Sequence, residues 1–86
     1  MCKLVKLTDI IPENAFRNKE DNEIAFNIDY IESIRVHFCK TLPNSGYVFF
    51  GLSNGSGYEI SFEDNNREIS LDKIINKINS YLEKDN

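Results

Sequence analysis

The hydrophobic and polar positions of this chain first indicate a β-hairpin between residues 47 and 62. Two runs rich in aromatic and aliphatic residues, 47–52 and 58–62, flank a polar segment that contains Asn54 and Gly55. Asparagine and glycine tolerate the left-handed backbone that tight hairpin turns require. The pattern therefore predicts two antiparallel strands joined by a short turn.

The first strand of this hairpin is apolar on both of its faces. Side chains alternate between the two sides of a strand, so Val48 and Phe50 point one way while Tyr47 and Phe49 point the other. One side can face the core of the protein itself. The other side needs barrel closure, a second subunit or a different protein to cover it.

Three further strands are predicted before the hairpin. Residues 3–7 form a short first strand, and residues 24–28 alternate between apolar and polar side chains as a half-buried strand does. The same alternation returns in residues 34–39. Residues 12–23 are polar and lack a sustained period, which predicts a surface loop whose one apolar pair can anchor a short helical turn.

After residue 70 the apolar period becomes that of an α-helix. The spacing predicts a helix over residues 71–83, with Ser70 as its N-cap and Asp72 in the first turn, where the helix dipole favours an acid. We expect the apolar stripe of this helix to cover the protein's own sheet rather than to bind a partner. The stripe consists of Leu71, Ile74, Ile75, Ile78, Tyr81 and Leu82.

Together these elements predict a single α+β domain that spans residues 1–86. About five short antiparallel strands form a curled sheet or a small barrel, and the C-terminal amphipathic helix packs on one face or one open end. Gly51, inside the fourth predicted strand, marks a bend or bulge of the kind that curls a sheet. A chain of 86 residues can bury a core sufficient for one such domain.

The charge pattern narrows the classes of partner. The formal net charge is -4 at pH 7, and the basic residues do not cluster into a stripe that could neutralise successive phosphates, so direct nucleic-acid binding is disfavoured. No apolar run approaches the roughly 20 residues that cross a membrane. The first residues are interrupted by charge before a signal-peptide core could form, so we expect a cytoplasmic protein.

The cysteine and histidine content offers little chemistry. Cys2 and Cys39 are too few for a disulfide scaffold or a zinc site, and we expect both to be reduced. His37 lies two residues from Cys39, on the same face of a strand, where a histidine-activated thiol or a partial metal site could form. An exposed pair on the polar side of the strand is the better interpretation, because no acid is placed to orient the histidine.

Motifs for catalysis are absent from the sequence. It contains no Gly-rich phosphate loop, no nucleophile elbow and no pair of metal ligands at helical spacing. Carboxylate pairs such as Glu20-Asp21 and Glu63-Asp64 fall in predicted turns, where exposure to water would leave their acidities alike. We therefore expect a protein that is not an enzyme and that uses no metal, cofactor or small-molecule substrate.

Several segments carry a family resemblance. Residues 3–7 and 26–34, followed by 52–55, 58–60 and 69–75, resemble the small flagellar FlbD-like proteins and similar phage and bacterial proteins. The second half looks like the strand, Asn-Gly turn, strand and closing helix of that group. The resemblance implies a non-enzymatic protein with a regulatory binding role.

These observations favour a non-catalytic protein-binding module that regulates or inhibits a partner, of the sort that phages and mobile elements encode. Interfaces concentrate their binding energy in buried aromatic and arginine side chains. The alternatives are a self-associating accessory protein, for example a homodimer, and an acidic mimic of a nucleic acid that blocks a DNA- or RNA-binding protein. The predicted partner-binding residues are Tyr47, Phe49 and Tyr58 as apolar anchors, with Arg35 and His37 as a polar rim.

Overall fold

A computed structural model describes residues 4–83 of the chain, which form five strands and one α-helix. Short 3-10 turns, among them Lys19–Glu23 and Ile28–Tyr30, connect the first strands. The principal elements, in chain order, are β1 (Leu4–Lys6), β2 (Ala25–Asn27), β3 (Ile31–Phe38), β4 (Ser45–Leu52), β5 (Gly57–Glu63) and α1 (Leu71–Glu83).

The strands pair into two antiparallel sheets. The order of the larger sheet is β3-β4-β5, and β1 pairs with β2 in a separate two-stranded ribbon. The α+β class, the five antiparallel strands and the C-terminal helix are confirmed. The single curled sheet and the barrel are wrong, because β1 and β2 have only three residues each and pair with one another instead of bridging β3 to β5.

The predicted hairpin is the central part of the larger sheet. The Asn54-Gly55 turn joins β4 to β5, and Gly55 adopts a φ of 89°, which favours glycine. The Asn54 side-chain oxygen accepts hydrogen bonds from the Ser56 N–H at 3.0 Å and from the Ser56 hydroxyl at 2.6 Å. These bonds fix the polar tip of the hairpin and thereby the register of the strands on either side.

The pairing of β3 with β4 shifts in register opposite Gly51, the residue that was predicted to mark a bend or bulge. The irregularity lies on β3 between Ile31 and Ser33, opposite Gly51 and Leu52 of β4. An added Cβ at Gly51 would meet the Ser33 Oγ, so the glycine allows the close approach of the bulged strand.

The helix α1 begins at the predicted cap. The Lys73 N–H donates a hydrogen bond to the Ser70 Oγ at 3.1 Å, and one of the free amides of the first turn is thereby satisfied. Ile74 and Ile78 are buried against the sheet. Leu71, Ile75 and Leu82 of the same stripe remain 41%, 37% and 38% exposed, so only part of the stripe covers the core as expected.

A single hydrophobic core joins the ribbon, the sheet and the helix. Its centre is Phe50, which is fully buried and whose ring centroid lies 5.4 Å from that of Phe26 in the ribbon. The segment 12–23, which was predicted to be a surface loop, also contributes to the core. Ala15, the last residue of the short turn Glu13–Ala15, and Phe16, which follows it, are both buried.

Asp64 departs from the prediction that it would be exposed to water. It is 3% exposed, and its two carboxylate oxygens accept hydrogen bonds from the backbone N–H groups of Glu68 and Ile69, each at 2.8 Å. The carboxylate thereby fixes the connection from β5 to α1, in which Arg67 adopts a left-handed φ of 53°. Asp64 therefore has a structural role, since both of its oxygens are used within the fold.

Candidate protein-binding face

The outward face of the larger sheet brings four of the five predicted site residues together. In the β3–β4 register, Arg35 lies opposite Phe49 and His37 lies opposite Tyr47. Residues that oppose each other in an antiparallel pair share one face, so the four side chains form two adjacent rows. We call this surface, together with Glu59 opposite Phe49 on β5, the outer face.

The ring of Tyr47 is held by a neighbour. Its centroid lies 5.0 Å from that of the His37 ring, with 27° between the planes, which is a stacked arrangement. Tyr47 is half-buried while His37 and Arg35 are exposed. The tyrosine therefore presents a pre-positioned aromatic surface on the same face as the Arg35 guanidinium, and aromatic and arginine side chains are enriched at protein interfaces.

The Phe49 ring lies over two glycines, Gly51 near the end of β4 and Gly57 at the start of β5. An added Cβ at Gly57 would lie 2.6 Å from the Phe49 Cζ, and one at Gly51 would lie 3.5 Å from the Phe49 Cε2. The ring therefore covers backbone that has no side chain of its own, as aromatic residues do beside glycines in sheets. It remains 37% exposed, so Phe49 both packs within the fold and faces solvent.

A surface depression of about 400 Å³ lies on the outer face. It is bordered by a basic residue, Arg35 on β3, and by an acidic residue, Glu59 on β5. An aromatic centre with a charged rim can bind a protein surface, because the centre excludes water while the rim selects the partner. The lining residues are Ser33, Ile34, Arg35, Tyr47, Phe49 and Glu59.

Tyr58 is not part of this surface. In the β4–β5 register it lies opposite Phe50, which belongs to the buried face, and its ring centroid is 6.5 Å from that of Phe26. The prediction grouped it with Tyr47 and Phe49 because all three are aromatic, whereas the pairing register places it on the other side of the sheet. It is 41% exposed at the margin of the core.

A second surface depression, which sequence reasoning missed, lies between α1 and β3. It has a volume of about 330 Å³ and is mainly apolar. Part of its lining comes from the predicted helical stripe, so the signal was present in the sequence, but it was assigned wholly to the core. The principal apolar lining residues are Ile28, Ile31, Ile34, Leu71, Ile75 and Leu82. We call this surface the helix-edge groove.

The side chains of His37 and Cys39 make separate contacts. His37 stacks on Tyr47, while the Cys39 Sγ lies 3.2 Å from the Thr41 Oγ1. The Thr41 hydroxyl, followed by the backbone N–H groups of Leu42 and Thr41, lowers the pKa of the Cys39 thiol below its usual value. Cys39 is a free thiol, and Cys2 lies outside the described residues.

Neither a metal cluster nor a membrane helix is found in the described part of the chain. Among residues 4–83, no three histidine, cysteine, aspartate or glutamate side chains are placed so that they could hold a metal ion. No helix in the same range has the length and hydrophobicity needed to cross a bilayer. The cytoplasmic location stays a prediction.

Comparison with models of protein families, with curated proteins and with solved structures gives no match. The resemblance to FlbD-like proteins therefore stays a prediction.

Proposed function

We propose that this protein is a non-catalytic binding module that regulates or inhibits a partner protein through its outer face. The observation that carries the proposal is the pairing of Tyr47 and Phe49 with His37 and Arg35 on one open side of the sheet. Aromatic and arginine side chains supply most of the energy at protein interfaces, and here they lie side by side.

The rigidity of this surface supports the proposal. Tyr47 is stacked on His37 and Phe49 rests on two glycine positions, so neither ring has to be ordered when a partner binds. Binding loses less conformational entropy when its anchors are already fixed. The small size of the chain and its net charge of -4 fit an inhibitor encoded by a phage or a mobile element.

The experiment is affinity capture of the tagged protein from host lysate, comparing wild type with the single variants Tyr47→Ser and Arg35→Glu. We expect one protein to be retained by wild type and lost by both variants. The control is Tyr30→Ser, which removes a more exposed tyrosine outside the outer face and leaves capture unchanged.

Two outcomes would contradict the proposal. Equal capture by wild type, Tyr47→Ser and Arg35→Glu would show that the outer face does not bind the retained protein. Capture that disappears on a moderate increase in salt, but persists in Tyr47→Ser, would indicate an electrostatic contact such as a nucleic-acid mimic makes.

A further inference from the structure

The two edges of the three-stranded sheet are not equally covered. At the β5 edge, Phe16 forms a bridge with Phe62, and the Arg17 N–H donates a hydrogen bond to the Ser61 carbonyl oxygen at 3.2 Å. At the β3 edge, no backbone group from the described residues pairs with the strand. β3 is eight residues long and contains no proline, so it lacks two of the features by which edge strands avoid association.

The hydrogen-bond alternation identifies which groups of β3 are unpaired. The Cys39 N–H donates to the carbonyl oxygen of Ser45, the residue that continues the β3–β4 register, at 2.8 Å. In an antiparallel pair such bonded positions recur at every second residue. The N–H and C=O groups of Ile34, Val36 and Phe38 therefore point away from β4, toward the open edge.

The same three residues carry apolar side chains on the inner face of the sheet. Ile34 and Val36 are half-buried, and Phe38 is 42% exposed although its ring contacts Phe62 at a centroid distance of 5.2 Å. Beside Ile34, the exposed part of α1 borders the helix-edge groove. Part of the apolar stripe of α1 is thus exposed next to the open β3 edge.

We propose that a second copy of this chain pairs with β3 across a twofold axis that passes through Val36. The two β3 strands then run antiparallel and join the two sheets into one of six strands. Val36 lies opposite its own equivalent, Ile34 lies opposite Phe38, and Arg35 lies opposite His37. This is an isologous contact, in which each surface meets its identical copy.

Self-complementarity of the edge favours a second copy as the occupant. The Val36 axis places position 38 of one copy opposite Ile34 of the other, next to the helix-edge groove, and it does so twice. No acid lies opposite an acid and no lysine or arginine opposite another in this register, and Glu32 of one copy lies opposite Lys40 of the other.

Neighbouring registers fit less well. An axis through Arg35 would place two guanidinium groups directly opposite each other, which is unfavourable in a strand pair. An axis through Ile34 would draw the irregular segment between Ile31 and Ser33 into the new ladder. An axis through His37 would place Ile34 opposite Lys40. The Val36 axis keeps the regular part of β3 on both sides and pairs all three apolar residues, Ile34, Val36 and Phe38, with each other.

The proposed dimer uses the backbone edge of β3, whereas the binding function rests on the outer face. Arg35 and His37 belong to that face and also meet across the dimer seam, so Tyr47→Ser is the variant that tests the binding function alone. Tyr47 and Phe49 lie on the central strand, so they stay open in a dimer built through β3. Failure of one proposal would therefore leave the other standing.

A designed disulfide tests both the association and its register. In the Val36 register, Ser33 of one copy lies opposite Cys39 of the other, at a position where closely spaced strand pairs accept a disulfide. Ser33 is exposed and its Oγ faces Gly51, so Ser33→Cys replaces one small side chain by another of nearly the same shape. In a Cys2→Ser background, we expect this variant to form a covalent dimer under oxidised glutathione.

Matched variants distinguish the proposed pairing from random oxidation. Adding Cys39→Ser to the Ser33→Cys protein removes the cross-link, because the partner thiol is lost. Glu59→Cys places an exposed thiol on the outer face near the other edge of the sheet and gives no comparable dimer.

Sedimentation equilibrium supplies a measurement without cysteine chemistry. Wild type is expected to change with concentration from the mass of one chain, 10.0 kDa, to twice that mass. His37→Arg, which places a second cation opposite Arg35 at two symmetric positions, is expected to raise the dissociation constant about tenfold. His37→Asp is expected to lower it.

A protein that stays monomeric up to the highest soluble concentration would overturn the proposal. So would a cross-link that persists after Cys39→Ser, because it would require a different register. Equal cross-linking of the Ser33→Cys and Glu59→Cys proteins would show that the β3 edge has no special role.

Discussion

The two faces of β4 both carry aromatic side chains, but their surroundings differ. On the inner face, Phe50 is flanked by Ile34 and Tyr58, and it is fully buried. On the outer face, Phe49 is flanked by Arg35 and Glu59 and remains 37% exposed. The same residue type therefore belongs to the core on one side and to a polar-bordered surface on the other.

The difference shows what stabilises the fold and what is left for recognition. Inner-face side chains pack against the ribbon and α1 in one cluster, whereas outer-face side chains have only their strand neighbours. Burial of apolar area is the main favourable term in folding, so the inner face should dominate stability. Substitutions on the two faces test this contrast.

The largest effect is expected from Phe50→Ala. It removes a fully buried ring and leaves a cavity next to Phe26, so the free energy of unfolding should fall by about 3–5 kcal/mol. Urea denaturation followed by circular dichroism measures the change. A loss below about 1 kcal/mol would mean that the inner face is not the core of the protein.

An intermediate effect is expected from Phe49→Asp. The substitution uncovers the backbone at Gly51 and Gly57, so we expect a loss of about 1–2 kcal/mol in the free energy of unfolding. Denaturation of the purified variant gives the value.

Phe49→Leu is the matched control for this prediction. It keeps an apolar side chain over the glycines and should lose less stability than Phe49→Asp. A loss from Phe49→Asp as large as that from Phe50→Ala would remove the contrast between the faces. No loss at all would show that the ring does not protect the backbone beneath it.

Local features of the fold could be predicted from the sequence because each depends on near neighbours. The helix α1 follows from its apolar spacing and its Ser70 cap, and the hairpin follows from alternation around Asn54 and Gly55. The alternation within β4 likewise predicted that Tyr47 and Phe49 would share a face. These signals lie within a few residues of the structure they specify.

Features that depend on strand pairing could not be predicted in the same way. Tyr58 was grouped with Tyr47 and Phe49 because the β4–β5 register was unknown, and one residue of register decides the face. The prediction of a barrel was wrong because β1 pairs with β2, and local sequence patterns do not indicate which of several distant segments a strand will pair with. Asp64 was predicted to be an exposed acid in a turn, because the sequence does not show that the backbone N–H groups of Glu68 and Ile69 donate hydrogen bonds to its carboxylate.

The smallest effect on stability is expected from Tyr47→Ser. Its ring touches the exposed side chain of His37 but covers no core residue, so the free energy of unfolding should change by less than about 1 kcal/mol. Denaturation under the conditions used for Phe50→Ala measures this change. Loss of partner capture by a variant that keeps its stability would separate binding from folding on the two sides of one strand.

Tyr30→Ser is the reference for this measurement, because it removes an exposed tyrosine away from the outer face. If Tyr47→Ser costs much more stability than Tyr30→Ser, the stack with His37 belongs to the structural core of the sheet. Loss of capture would then reflect a damaged fold, and Tyr47 could no longer be assigned to recognition. Equal stability with unequal capture assigns the tyrosine of the outer face to binding, since both variants replace a tyrosine by serine and only one of them does so on the outer face.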